Sequence, residues 1–409
     1  MPLREFWVFF GVGLTLIGLA AGSTIITSTG LVIFTVGGIA RYWSNHLFDR
    51  VSLTRSLGER RTFVDEPVNL HVELENRKPL PLPWYEWRLA VADHTAIDGE
   101  ALAASASPGF SFLRRRGAIG WYEKQAWDFS LSISERGYHQ YGGATISSAD
   151  ILGIFPRQYE DRDLDHLVVF PRVYALSDLG IDAERPFGEM RGRIRMYEDP
   201  LRIAGLREFR PGDSLRRVDW KATARRGDLT SRIYDPAASR QVYIMVNIDT
   251  LTHAWEGYLK DELERTVSTA ASVAVWAAGQ KHAVGLLANG SFPEADRPIR
   301  LPPSSAREQV TRILEALAMV QPLTLNMLAE TIHRESGKIP IGSTIVVVAS
   351  LVPDSLAGAL LRLQDEGHSV FLLATSDRID PANLVGIRMQ SVVRAFERMQ
   401  PVAPQDVGR

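Results

Sequence analysis

Cysteine is absent from the 409 residues, and that removes several chemistries at once. Thiol nucleophiles, zinc–thiolate clusters and iron–sulfur centres all need a sulfur that is not there. The absence does not fix a compartment, because a chain without cysteine forgoes disulfides anywhere. Net charge is nearly absent too, at −2, so no overall field draws the chain to nucleic acid. No Gly-x-x-x-x-Gly-Lys-Ser/Thr phosphate loop occurs, no Gly-x-Ser-x-Gly elbow, and no His-Glu-x-x-His pair among nine histidines. Gly11-x-Gly13 lacks the third glycine of a dinucleotide fingerprint, since Leu16 stands there. Asp161-x-Asp163-x-Asp165 opens like a calcium loop. His166 and Arg172 occupy the places of the loop's glycine and bidentate acid, so a solvated acidic turn is expected instead. There is no internal repeat, and low complexity is confined to Ala101 to Pro108.

The most informative absence is of charge between Phe6 and Ala40. A bilayer core roughly 30 Å thick takes about 20 apolar residues in a helix, so this run is long for one crossing and short for two. Hydroxyl and glycine residues gather at its middle, Gly22-Ser23-Thr24 and Thr27-Ser28-Thr29-Gly30. The preferred reading is a transmembrane hairpin, with helices over about Glu5 to Gly22 and Ile25 to Trp43, and with Gly18-x-x-x-Gly22 permitting close approach. Phe6, Trp7, Tyr42 and Trp43 suit headgroup level, and Arg4, Arg41, Arg50 and Arg55 place both termini on the cytoplasmic side. One spanning helix, or a signal peptide processed near Leu19-Ala20-Ala21-Gly22, are the alternatives; the resumption of the apolar run after Ser23-Thr24 counts against the latter.

Beyond residue 45 the periodicity divides the chain. From Val51 to about Pro171 apolar and polar residues alternate, as in Val68, Leu70, Val72, Leu74 and in Trp127, Phe129, Leu131, Ile133. Alternation marks half-buried strands, with turns expected at Pro79 to Pro83, Gly117 and Gly142-Gly143. A β-sandwich of immunoglobulin-like size over 46–175 follows. From Gln241 apolar strands (Val242–Ile248, His282–Ala288, Thr344–Ala349, Ser369–Ala374) alternate with helical patterns (Asp261–Gly279, Ser304–Val320, Leu325–Ser336, Asp354–Glu366). That implies a doubly wound α/β domain over 241–400, before a tail at 401–409.

Residues 176–240 fit neither pattern. Between Arg207 and Arg232 eight basic residues face four acidic ones, a local excess of +4. Arginine forks hold carboxylate or phosphate through paired hydrogen bonds, so Arg207, Arg210, Pro211, Gly212, Asp213, Arg216, Arg217, Asp219, Trp220, Lys221 and Thr223 form the candidate partner-binding set. The competing reading is an internal ion-pair network with Trp220 as a core plug.

The stretch Arg207-Glu-Phe-Arg210-Pro-Gly-Asp213-Ser-Leu-Arg216-Arg217-Val-Asp219-Trp220-Lys221-Ala-Thr223 resembles the signature of the DUF58 family (domain of unknown function 58). Glu135-Arg-Gly-Tyr138, Ser148-Ala-Asp150-Ile-Leu-Gly153-Ile-Phe155 and Val169-Phe-Pro-Arg172 are similar to that family's approach to it. The resemblance implies a membrane-associated protein, which with the hairpin and arginines above gives the expectation of a multi-pass cell-membrane protein with cytoplasmic soluble domains. It further implies a von Willebrand factor A-like C-terminal domain and a MoxR-type AAA+ ATPase as partner. It supplies no reaction and no cofactor. An A-like domain would carry Asp-x-Ser-x-Ser for magnesium. Here Asp249 is in place, but Leu251 and His253 occupy the hydroxyl positions, a degenerate remnant. The expected function is a membrane-anchored, non-catalytic adaptor contacting the bilayer and a protein but no nucleic acid. An anionic-lipid contact, or a hydrolase or transferase with an unrecognised carboxylate pair, are the alternatives.

Overall fold

The computed structural model describes residues 6–105, 108–182, 186–187, 198–210, 218–236, 241–292, 295–324, 326–340 and 342–399. The chain divides into two compact units, Met1–Phe170 and Pro171–Arg409.

The first unit opens with helices α1 (Phe6–Ala20) and α2 (Thr24–Asn45). Of these, α2 is long and apolar enough to cross a membrane by length and composition, while the 15 residues of α1 fall short. The two pack antiparallel in close contact, and glycine makes the contact possible. A Cβ on Gly18 would lie 2.5 Å from the backbone nitrogen of Thr27, one on Gly30 2.5 Å from that of Thr15, and one on Gly11 2.6 Å from that of Phe34. The expected Gly18-x-x-x-Gly22 pairing is therefore half right: Gly22 sits in the turn at φ +63° with open space around it. The operative glycines recur at heptad spacing, Gly11 and Gly18 on one helix, Gly30 and Gly37 on the other. Several hydroxyls within the apolar run bond back to their own helix. Thr15 donates to Gly11 O (2.7 Å), Thr27 to Ser23 O (2.9 Å), Thr29 to Ile25 O (2.8 Å) and Thr35 to Leu31 O (2.7 Å). Such back-bonding suits a medium without water.

Strands follow: β1 (Val51–Leu57), β2 (Arg61–Phe63), β3 (Val68–Asn76), β4 (Leu82–Ala92), β5 (Thr95–Ile97), β6 (Ala103–Ala104), β7 (Phe110–Ile119), β8 (Lys124–Ile133), β9 (Gly137–Ser148) and β10 (Arg157–Phe170). They form two sheets, ordered β1-β3-β8-β5 and β2-β10-β9-β4-β7-β6. One core lies between them, with Leu70, Leu74 and Leu131 from one sheet and Trp87, Leu113, Ile146 and Val169 from the other, all fully buried. Trp87 packs against Trp127 (5.5 Å) and edge-on to Phe129 (6.2 Å). Gly117 and Gly142-Gly143 are not turns, as expected, but lie inside β7 and β9. Neighbours crowd both positions: a Cβ on Gly117 would meet the Tyr85 hydroxyl at 2.6 Å, and one on Gly142 first the Asp163 carbonyl and then the Arg55 guanidinium at 2.9 Å. In a strand, glycine marks such close approach as readily as a turn.

The end of α2 is bound to this core. Ser44 Oγ donates to Phe155 O (3.0 Å), Arg157 Nη2 to Asn45 Oδ1 (2.6 Å), and the buried ammonium of Lys78 to Leu47 O. Leu47 is itself fully buried. Burial pushes the Lys78 amine down to about 8.

In the second unit β11 (Glu198–Glu208) and β12 (Thr230–Pro236) form an antiparallel pair, with α3 (Trp220–Arg226) before β12. The main sheet comprises β13 (Gln241–Asn247), β14 (Ala283–Phe292), β15 (Ala295–Ser304), β16 (Gln321–Thr324), β17 (Thr344–Ala349), β18 (Ser369–Ala374) and β19 (Arg388–Ser391). Its helices are α4 (Lys260–Gly279), α5 (Gln309–Met319), α6 (Leu328–Glu335), α7 (Asp354–Asp365) and α8 (Val393–Met399). The order is β15-β14-β13-β17-β18-β19, with β16 also on β14. The sheet is mixed rather than wholly parallel, because β15 and β16 run antiparallel to β14. The helix expected from Ser304 begins at Gln309. The residues before it, rich in proline (Pro298, Pro302, Pro303), form the edge strand β15, where a missing N–H costs little.

Candidate functional site

In an open α/β sheet, ligands gather beyond the carboxyl ends of the strands where the strand order reverses. Here β13 passes to β14 on one side and meets β17 on the other. Asp249 lies two residues past the end of β13, beside Asn247, Asn289 of β14 and Ser350 after β17. Asn289 Nδ2 donates to Asp249 Oδ2 (2.8 Å) and Asn247 Oδ1 (2.9 Å), while its Oδ1 accepts from Ile248 N (2.9 Å). Asn247 Nδ2 donates to Leu351 O (2.9 Å), and Ser350 Oγ to Asp249 O (3.3 Å). Asn247, Asn289 and Ser350 are buried. Burial raises the Asp249 pKa, and hydrogen bonds from Thr324 and Asn289 oppose the rise. On the neighbouring rim Arg378 Nη2 donates to Thr250 O (2.7 Å) and pairs with Glu262, whose other oxygen accepts from Ser376 Oγ (3.3 Å).

These residues do not fit the magnesium that an A-like domain implies. Octahedral coordination needs several oxygens aimed at one point. Thr250 Oγ1 instead accepts from Leu259 N (2.9 Å), and His253 stacks on Trp255 at 4.2 Å. Among the described residues, Asp249 is held by the Asn289 amide and Glu262 by the Arg378 guanidinium. The network joins the ends of three strands. Its asparagines were missed in the sequence, though each breaks an apolar strand at its last turn-ward residues, the one signal available.

The arginine-rich segment is arranged differently. Arg207 lies half-buried on β11, with Nη1 donating to Glu208 O (3.1 Å), and Arg210 is exposed. Pro211, Gly212, Asp213, Arg216 and Arg217 lie outside the described residues. Val218 is buried and bridges Ser231. Asp219 caps α3: Oδ1 accepts from Ala222 N (3.0 Å), and Oδ2 from Arg232 Nε (3.0 Å). The backbone hydrogen bond from Ala222, then that from Arg232, lowers its pKa. Thr223 Oγ1 accepts from Thr230 N (3.1 Å), and Gly227 closes the helix at φ +80°. Asp219 and Thr223 thus shape the motif. Trp220, 65% exposed, is no core plug, and it leads the exposed Lys221 and Arg225.

Residues 205–383 match the family described as protein of unknown function DUF58. The chain carries a DUF58 domain. Both clusters above fall inside it. A relative from Bacillus subtilis (strain 168), described as uncharacterized protein YeaD, is 20% identical over 222 residues. The match covers 54% of this chain and 51% of that one, so the chain spans about half the length of this relative. Among solved structures, the CARDB domain of the PF1109 protein from Pyrococcus furiosus overlaps 30% of this chain and 96% of its own, at 14% identity and TM-score 0.19. A cohesin module from Clostridium perfringens overlaps 29% and 96%, at 10% identity and TM-score 0.21. Scores of this size do not relate the architectures.

Outside the DUF58 domain, the acidic turn expected at Asp161 to Asp165 is a clamp. Arg55, its side chain 6% exposed, meets Asp161 Oδ2 (2.7 Å), Asp165 Oδ2 (3.2 Å) and the backbone carbonyl of Asp163. The cation at this motif is a guanidinium supplied by β1. In the second unit, a cavity of about 580 Å³ lined by Phe187, His368, Phe371 and Arg388 opens beside β18. It sits at the amino-terminal end of that strand, opposite the edge where such sheets bind ligands.

Proposed function

We propose that this chain is a membrane-anchored, non-catalytic adaptor that binds a protein through the exposed face of its DUF58 signature. One observation carries the reading: Trp220, Lys221 and Arg225 are presented to solvent by a helix whose own cap is fully engaged. Exposed aromatic and basic side chains on a fixed element are the anchors that protein interfaces favour. In this reading α1 and α2 form a two-pass hairpin in the cell membrane, with the remainder cytoplasmic. The strand-rich unit is then an immunoglobulin-like spacer and the main sheet a von Willebrand factor A-like platform. The partner class is a MoxR-type AAA+ ATPase or its client, expected from the family resemblance. Trp220→Ala with Lys221→Glu should abolish capture of a purified MoxR-type ATPase by the full chain in nanodiscs, with thermal unfolding unchanged. Equal capture by the folded variant rejects this face.

A lipid contact for the same segment is the second reading, favoured by its local charge excess of +4. Salt-sensitive binding of the second unit to anionic vesicles, lost with Lys221→Glu and Arg225→Glu, would support it over the first.

A further inference from the structure

We propose that the turn Asp150–Phe155 is a second membrane contact, seating Ile151 and Leu152 at the boundary between headgroups and acyl chains. This rests on the anchored reading of α2 above.

Three features carry it. The turn is rigid: Asp150, 1% exposed, accepts from Leu152 N at Oδ2 (3.0 Å) and from Phe155 N at Oδ1 (2.6 Å), while its carbonyl accepts from Gly153 N (2.9 Å). Gly153, at φ +71°, supplies the left-handed residue this needs. Its tip is apolar, with Ile151 62% and Leu152 55% exposed and no charge between Asp150 and Arg157. Asp150 spends its carboxylate on holding that tip in shape rather than on meeting solvent.

The third feature is position. Scattered apolar side chains occur on any surface and mean nothing singly. This pair stands on a turn fixed to the end of α2. Ser44 Oγ donates to Phe155 O (3.0 Å), Arg157 Nη2 to Asn45 Oδ1 (2.6 Å), and the Arg41 guanidinium lies over the Phe155 ring at 5.7 Å. Arg41 is the first charge after the apolar run, so it marks where hydrocarbon gives way to headgroups, and it brings Phe155 to that level. Exposed Tyr42 and Tyr159, the latter 6.0 Å from Phe48, stand in the same part of the unit. Aromatic rings with one wet end concentrate at that depth, and the arginines suit anionic headgroups. The occupant is therefore the bilayer itself, continuous with the surface α2 already presents.

The absence of cysteine makes the test direct. Leu152→Cys and Ile151→Cys, each carrying an environment-sensitive fluorophore, are compared with Ile39→Cys on α2 and Asp128→Cys on β8. The full chain sits in phosphatidylcholine–phosphatidylglycerol nanodiscs. The expected result is blue-shifted emission at positions 151 and 152, and quenching by lipids nitroxide-labelled high on the acyl chain several-fold stronger than at position 128. Quenching at position 39 with positions 151 and 152 as wet as 128 overturns the inference and leaves the anchor intact. No quenching at position 39 either overturns both. Drying at 151 and 152 only when a purified ATPase is added overturns the lipid contact in favour of a protein one.

Discussion

In the strand-rich unit two carboxylates and a backbone carbonyl close on the buried guanidinium of Arg55. In the second unit one carboxylate, Asp249, closes on the neutral amide of Asn289. The first site keeps full charges and cancels them in place; the second half-buries an acid and answers with neutral dipoles from Asn289 and Thr324. The difference sets how each responds to change. A paired charge is costly to break because either member left alone loses its compensation, whereas an acid held by neutral dipoles tolerates neutralisation and responds to pH.

The comparison breaks most sharply at Arg55. Arg55→Met should destabilise the first unit by about 3 kcal/mol, because the partly exposed Asp161 and Asp165 lose a buried counterion. Adding Asp161→Asn and Asp165→Asn should restore part of that loss, read from urea midpoints. Next in size, Asn289→Ala should cost the second unit about 1–3 kcal/mol by stranding Asp249 and the Asn247 carbonyl. Asp249→Asn should instead lie within about 1 kcal/mol of the native chain at pH 7. Its pH dependence sharpens the contrast. A folded pKa above 3.8 means the ionised acid is disfavoured in the fold. That penalty is absent below 3.8 and complete above the raised value. The variant should therefore gain relative to the native chain as pH rises through that window. Equal slopes for both chains would contradict the burial of this acid.

Lys78 provides the basic counterpart in the first unit. Its amine falls from 10.5 to about 8, so the charged form is disfavoured in the fold and the penalty is complete below about 8. Stability should rise between pH 8 and 10.5 in the native chain and stay flatter in Lys78→Met, as thermal unfolding would record. The smallest effect expected is from magnesium. Millimolar magnesium should leave the second unit's melting temperature unmoved, and a saturable rise abolished by Asp249→Asn would restore the metal reading.

Much of this was legible beforehand where a periodicity or an apolar run did the specifying. β17 and β18 fall on the residues that unbroken apolarity marks, because a strand buried on both faces cannot be written any other way. β15 was not legible, since its three prolines look like a loop until an edge position removes the need for their N–H groups. The signature segment shows the same division. Its composition fitted either a binding surface or an internal ion-pair network; Asp219 and Thr223 are spent on capping α3 and fixing β12, while Trp220 and its basic neighbours face outward. Gly142, read as a turn, is a strand residue because it pairs with Ala90 and Leu164, which are distant along the chain.

Local order in residues 6–45 and the alternation of strand and helix followed from hydropathy, since burial from water acts on each segment by itself. Which charges meet, and what answers each carboxylate, did not. Arg55 and Asp161 are 106 positions apart, and Asn289 and Asp249 are 40. Pairings of that range are settled by how sheets register and chains cross over. A motif read along the chain names the acid, while only packing in three dimensions supplies its partner.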